Sequence, residues 1–257
     1  MDELLYQIWL KGLNGISNSK MRRLHKIFGS FTAIYNLSSI DLANNDTISY
    51  EEKNAISNKN LDKAREILTQ CDNLGINIIS YYDEAYPKKL KEISDAPAFL
   101  YVRGNLPRLN ERLAISIVGA RRSSLYGNTT ATKIAYDLAR KDVVIVSGMA
   151  RGIDSAAHRG ALKADGYTVA VLGCGVDVVY PPENAELKKM IESNGAVISE
   201  YPPGTPPNAV NFPSRNRIIS GLAAATVIVE GKVTSGSTIT AKMAGKCSAC
   251  RGILTIP

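Results

Sequence analysis

From Ala114 onward, short apolar runs alternate with stretches of helical periodicity, and that beat constrains the fold more than any other feature of the chain. The runs are AISIV (114–118), VVIVS (143–147), TVAVL (168–172), AVIS (196–199), TVIVE (226–230) and ILTI (253–256). The first five start roughly 25 to 30 residues apart, the length of one βαβ unit. Each is apolar throughout rather than alternating, as expected of strands covered on both faces. The reading is α/β, an open, doubly wound parallel sheet, and ligands of such sheets lie beyond the carboxyl ends of the strands.

The residues before this beat behave differently. Leu4, Leu5, Ile8 and Trp9 share a helical face, GLNGIS breaks it, and Met21, Leu24, Ile27 and Phe28 recur at helical spacing until Gly29. A further helix is expected over roughly Asn58 to Leu74. A glycine turn between two short helices, with Lys20, Arg22, Arg23 and Lys26 close by, is similar to a helix-hairpin-helix or sterile-alpha-motif module. Such modules serve either a nucleic-acid backbone or a protein partner. From Asn77 a short strand, a turn around Pro87, one helical turn and a second strand at Ala98 to Arg103 lead into the sheet. The expected division is a helical domain over 1–76 and a sheet domain over 77–257.

Composition narrows the class. The 31 Lys+Arg against 24 Asp+Glu give a net charge of +7. Residues 1–110 carry 14 basic and 13 acidic side chains and residues 111–257 carry 17 and 11, so six of the seven excess charges accompany the main sheet. A surplus of this size suits a nucleic-acid partner but also occurs in proteins that bind nothing anionic. No apolar run approaches the roughly 20 residues of a membrane span, and MDELLYQIWLKG has no basic n-region, so a cytoplasmic protein without membrane contact is expected. Cys247 and Cys250 form the one CxxC, with His25 and His158 distant in sequence, so neither zinc nor a disulfide framework is expected.

The strand ends carry the chemistry. After the first comes Gly119-Ala120-Arg121-Arg122-Ser123, ahead of a helix over Thr129 to Arg140. A strand, a glycine turn and a helix N-terminus present free N–H groups, and Arg121 adds a planar cation, so a phosphate is expected at this turn. After the second come Ser147 to Asp154 (SGMARGID), after the third Gly173 to Asp177 (GCGVD), and after the fifth Glu230-Gly231, with Ser235-Gly236-Ser237-Thr238 opening the next helix. Glycines at these ends let a ligand approach the backbone closely. Neither the GxGxxG dinucleotide fingerprint nor the GxxxxGK[ST] phosphate loop is present.

For hydrolytic chemistry the candidates are Asp154, Asp177, His158 and Glu230. Asp154 and His158 are four apart and could share a helix face as an acid/base pair, but Asp154 with Ser155 reads more simply as the N-cap of SAAHRGALKA. In NAVNFPSRNRIISGL, Phe212-Pro213 places an aromatic in a loop, with Arg215 and Arg217 flanking Asn216. That set suits base stacking and phosphate contact on a single strand, and it equally suits a Phe anchoring a loop whose arginines pair with carboxylates.

Taken together, GARRSSLYG (119–127), SGMARGIDSAAH (147–158), VLGCGVDVVYPPEN (171–184), SEYPPG (199–204), FPSRNRIISGL (212–222) and EGKVTSGSTITAK (230–242) resemble the DNA-processing protein A (DprA/Smf) family. Its members are single-stranded-DNA-binding recombination mediators of natural transformation in competent bacteria. The resemblance implies an extended Rossmann-like, mainly parallel sheet that dimerises, a basic pocket for single-stranded DNA, and loading of RecA recombinase, with no catalytic residue, cofactor or metal. By motif, Arg121 grips phosphate with Gly119 and Ala120 beside it; Ser147, Gly148 and Gly152 shape the pocket floor; and Phe212, Arg215, Asn216 and Arg217 form a second wall. Arg122, Arg151 and Lys242 complete the nucleic-acid-binding set. Near its end the chain reads AKMAGKCSACRGILTIP where the family pattern resembles AKxAxExGRDVFAVPG, and it stops at Pro257 where relatives often continue into a winged-helix-like domain. A member shortened at its C-terminus is the expectation. The competing reading is a nucleotide-cleaving Rossmann-like phosphoribohydrolase, faintly resembled by EGKVTSGST, in which Glu230 or Asp154 acts on a glycosidic bond and Arg121 holds a 5′-phosphate.

Overall fold

A computed structural model describes residues 2–231 and 252–256; Lys242, the 235–238 turn and the Cys247/Cys250 pair lie outside them. The chain divides into two compact units, Met1–Leu74 with Ser94–Ala98, and Gly75–Ile93 with Phe99–Pro257.

The first unit is helical: α1 (Asp2–Gly12), α2 (Asn18–Phe28), α3 (Phe31–Asn36), α4 (Ser39–Ala43), α5 (Tyr50–Ser57) and α6 (Asp62–Leu74). Serine sets four of the starts. Ser17, Ser30, Ser38 and Ser49 each accept a backbone N–H in the first turn of α2, α3, α4 and α5, and Ser38 and Ser49 do so in full capping boxes with Asp41 and Glu52. Gly29 ends α2 at φ 81, a left-handed cap that returns its N–H to His25 O. Leu10, Leu24, Phe31, Ile34 and Ile56 form the buried interior. Two of the four cations noted in the sequence hold this unit together: Arg22 donates to Ala96 O at 2.8 Å, and Arg23 pairs with Glu52 at 2.5 Å.

The second unit begins with β1 (Asn77–Ser80), α7 (Lys88–Lys91) and β2 (Phe99–Gly104). The βα beat follows as β3 (Ala114–Gly119), α8 (Leu125–Ala139), β4 (Val144–Ser147), α9 (Ile153–Lys163) and β5 (Thr168–Leu172). A 3-10 turn at Pro182–Asn184, α10 (Ala185–Asn194), β6 (Gly195–Ser199), α11 (Asn211–Leu222), β7 (Ala225–Val229) and β8 (Gly252–Ile256) complete it. All six apolar runs of the beat are strands. They form one eight-stranded sheet in the order β1-β2-β6-β5-β4-β3-β7-β8, parallel from β6 to β8, with β2 and β1 added antiparallel at one edge. The fold is Rossmann-like and doubly wound: from central β3 the chain steps outward through β4, β5 and β6, then returns to place β7 on the other side.

Strand alternation divides the core. Ile117, Ile145, Val227 and Val229 pack with a run of alanines on α8 and α9, including Ala131, Ala135, Ala157 and Ala161. Those small residues let the two helices nearly touch, since a Cβ on Gly160 would lie 2.3 Å from Thr132 O. α11 packs on β3, β4 and β5 through buried Ile218, Ile219 and Leu222. No helix among the described residues is long and apolar enough to cross a membrane.

Candidate nucleic-acid interface

Beyond the carboxyl ends of β3, β4 and β5 lies an open pocket. Arg121 borders it from the β3 turn, Gly148 to Arg151 from the β4 loop, and Leu172, Gly173, Cys174, Tyr180 and Pro181 from the segment after β5. Phe212 and Arg215, on the first turns of α11, close it. Phe212 belongs to that helix rather than to a loop, because Pro213 sits where a helix tolerates a residue without an N–H.

The β4 loop is fixed from three sides. Arg215 is buried, and its Nη1 donates to Gly148 O at 2.7 Å and to Val171 O, joining the ends of β4 and β5. Asp154 Oδ2 accepts the N–H groups of Gly148 at 3.1 Å and Ala150 at 3.3 Å. Asn184 Nδ2 donates to Met149 O and to Ser155 Oγ, both at 2.9 Å, and holds Met149 at a left-handed φ of 59. Gly148 is obligatory, since a Cβ there would lie 2.7 Å from Asp154 Oδ2 and 2.8 Å from Arg215 Nη2. Burial lowers Arg215 to about 10, with Asp154 opposing the shift. Burial likewise raises the Asp154 carboxyl, against the pull of Arg215 and the two backbone donors.

Several sequence expectations change here. Asp154 does not cap a helix: α9 starts at Ile153 with Gly152 as its N-cap, so the carboxylate reaches back to the loop and Ser155 Oγ donates to Ala150 O. No acid/base pair faces solvent either. His158 is wholly buried, and since Thr168 gives its one hydroxyl proton to Ile145 O, His158 Nδ1–H must donate to Thr168 Oγ1. Its Nε2 has no partner among the described residues, and burial, with Arg215, lowers the imidazole to about 3.

The N-termini of α8 and α9 are met by groups of the chain itself. At α8, Ser124 caps Gly127 N–H while the Glu230 carboxylate accepts Ser124 N–H at 2.8 Å and the Ser124 hydroxyl. At α9, Ile153 N–H donates to Ala120 O at 3.2 Å. Gly152, at φ 72, permits that approach, because a Cβ would lie 2.3 Å from Ala120 O. Gly119 is equally constrained, 2.0 Å from Val229 O by the same measure. The Glu230 carboxylate thus stands beside the α8 N-terminus where a phosphate is expected from the sequence, and Arg121 lies on the turn before it.

Arg121 is exposed and forms no ion pair with any described residue; its guanidinium lies 5.9 Å from the Phe212 ring centre. Of the other expected residues, Gly148, Arg151, Phe212 and Arg215 also border the pocket. Ser147 instead donates to Ile117 O at 2.6 Å inside the sheet. Asn216 accepts from Arg215 Nε at 3.2 Å, and Arg217 makes a two-pronged pair with Glu200, 2.6 Å on each prong. Arg122 is exposed and does not border the pocket. Arg151 borders it paired with Glu183.

Tyr180 was not anticipated. Its ring lies 5.3 Å from that of Phe212 at a 32° tilt, and it stays 40% exposed at the rim. The signal available in the sequence was an aromatic held before two prolines in VVYPPEN. Cys174 is a free thiol that burial pushes up to about 11, which makes it a poor nucleophile. Among the described residues no group of three or more His, Cys, Asp or Glu is placed to hold a metal ion.

Comparison with known proteins gives this geometry a setting. Residues 77–257 match the family described as DNA recombination-mediator protein A. The DNA processing protein DprA of Bacillus subtilis is 40% identical over 182 residues, covering 71% of this chain and 61% of that protein. The crystal structure of DNA processing protein A from Streptococcus pneumoniae superposes with a TM-score of 0.75 at 33% identity, over 100% of this chain and 87% of that one. A structure of DNA processing protein A from Helicobacter pylori, described for its unique single-stranded DNA binding mode, has a TM-score of 0.64 at 30% identity over 70% of this chain and 81% of that one.

Proposed function

The chain belongs to the DNA recombination-mediator protein A family, and we propose that it binds single-stranded DNA at the strand-end pocket without cleaving it. The observation that carries this reading is Arg121: an unpaired guanidinium beside an aromatic ring, the pair of groups that take a phosphate and a base. Tyr180 enlarges the stacking surface, and the rigid β4 loop supplies a floor close to the backbone. The single-stranded DNA binding described for the Helicobacter pylori relative supports the choice of ligand. Beyond binding, the reading follows the resemblance: a cytoplasmic homodimer that protects incoming strands and loads RecA during natural transformation.

The competing hydrolase needs a carboxylate free to act on substrate. Glu230 is tied to Ser124, which holds it below the usual carboxylate range, and Asp154 is buried and bonded to the loop. Both arrangements favour binding over cleavage.

The test is fluorescence anisotropy of a labelled oligo-dT at low and moderate salt. Wild type should bind with an affinity that falls steeply with salt, because phosphate contacts release counterions. Arg121→Ala should bind at least about tenfold more weakly, with a salt slope shallower by about 0.7 per lost contact. An unchanged affinity in the variant, or duplex bound as tightly as single strand, would refute the reading.

A further inference from the structure

The pocket rim carries an acid where a phosphate-binding surface would be expected to carry none. Arg151 and Glu183 form a two-pronged ion pair, Nε to Oε1 and Nη2 to Oε2, the latter 3.1 Å. Their side chains are 61% and 49% exposed, so an incoming strand can reach both. The pairing is set by the backbone. Asn184, next to Glu183, bonds Met149 O and Ser155 Oγ on either side of Arg151, and Gly152 is held under the β3 turn. The two charged residues thus stand on segments that are pinned to one another, and the backbone is in register for them to pair.

From this geometry we infer that Glu183 is a built-in competitor for DNA phosphate at Arg151, lowering the affinity of the pocket for single-stranded DNA. The inference rests on the proposed function. In the free protein the Arg151 fork is held by a carboxylate, which, like the phosphodiester it would otherwise take, offers two anionic oxygens to the guanidinium. A strand must either displace Glu183, leaving that carboxylate repelling the backbone, or pass by without using Arg151. Arg121, which has no such partner among the described residues, is open to phosphate without that competition. Glu183 therefore raises the threshold for binding, so that a ligand able to make many contacts is retained and a short one with few is not.

The experiment measures oligo-dT affinity against salt for wild type, Glu183→Gln, Arg151→Ala and the double variant. Glu186→Gln serves as a charge-matched control on the exposed first turn of α10. Glu183→Gln should bind about three- to tenfold more tightly at low salt, with a slope steeper by about 0.7 as one phosphate contact is gained. The double variant should show none of that gain. A gain matched by Glu186→Gln, or one that survives in the Arg151→Ala background, overturns the inference by showing general charge rather than release of Arg151. No change in Glu183→Gln while wild type binds overturns it as well. Absence of oligo-dT binding in wild type and all variants would instead remove the single-strand reading itself, and this inference with it.

Discussion

The ends of β3 and β4 are neighbours in the sheet, yet they are built to opposite plans. The β4 loop is held by side chains from three other segments: Arg215 from α11, Asp154 from α9 and Asn184 from the 3-10 turn. The carbonyls of Gly148, Met149 and Ala150 and the N–H groups of Gly148 and Ala150 all face fixed partners, and even a left-handed Met149 is tolerated. At the β3 turn the backbone is anchored, through Gly119 and Ala120, but the Arg121 side chain has no ionic partner among the described residues. One strand end is a rigid floor and the other carries a free hand. A site for a flexible polymer benefits from both, since a fixed surface limits the ordering lost on binding while an unpaired cation gains a phosphate without first breaking a bond.

The comparison breaks most sharply at Arg215. Arg215→Met keeps the apolar stem but removes the fork from Gly148 O and Val171 O, along with the charge that most opposes the burial of Asp154. Leaving two buried carbonyls without their donor costs about 1–3 kcal/mol each. Urea denaturation should show a loss of that size, with DNA binding falling as a consequence of the loosened floor. A stability change under about 1 kcal/mol would mean that the floor does not depend on this arginine.

His158 tests the same floor from behind. Its imidazole is neutral in the fold, with a value lowered to about 3 from an ordinary 6.5. Because the folded value is the lower one, the unfolded chain takes the proton more readily, so stability is complete above pH 6.5 and declines as pH falls toward 3. Between pH 6.5 and 5 the slope is about 1.4 kcal/mol per unit, and from pH 7 to 5 wild type should lose about 2 kcal/mol more than His158→Gln, whose amide does not titrate. Equal losses in the two proteins would show that His158 is reached by water and protons in the native state.

How much of this could be read from the sequence follows the same division. Strands, helices and serine caps depend on neighbours within a few residues, and the β-α beat and the Ser17, Ser30, Ser38 and Ser49 starts were all open to local reasoning. Arg121 was identifiable because it follows a strand directly. The arginines of FPSRNRII were not separable by type or spacing: Arg215 is an internal strut and Arg217 is bound to Glu200, and those partners are brought in by the sheet order. Glu230 shows the limit most clearly. It lies 106 residues from Ser124, and only the pairing of β7 with β3 carries it to the N-terminus of α8.

That contact also supplies the smallest and most discriminating test of the two strand ends. Ser124→Ala removes the cap of α8 and the hydroxyl that meets Glu230, a loss of about 1 kcal/mol in denaturation. If the helix N-terminus is closed by the chain's own carboxylate, the strand gains nothing from it, and the salt slope for oligo-dT should match wild type within error. Tighter oligo-dT binding by Ser124→Ala, in which Glu230 has lost its hydroxyl donor, would show that DNA displaces Glu230 and uses those N–H groups after all. The open side of the site would then include the α8 terminus as well as Arg121, and the contrast would lie between a rigid floor and an anion site with a replaceable internal occupant.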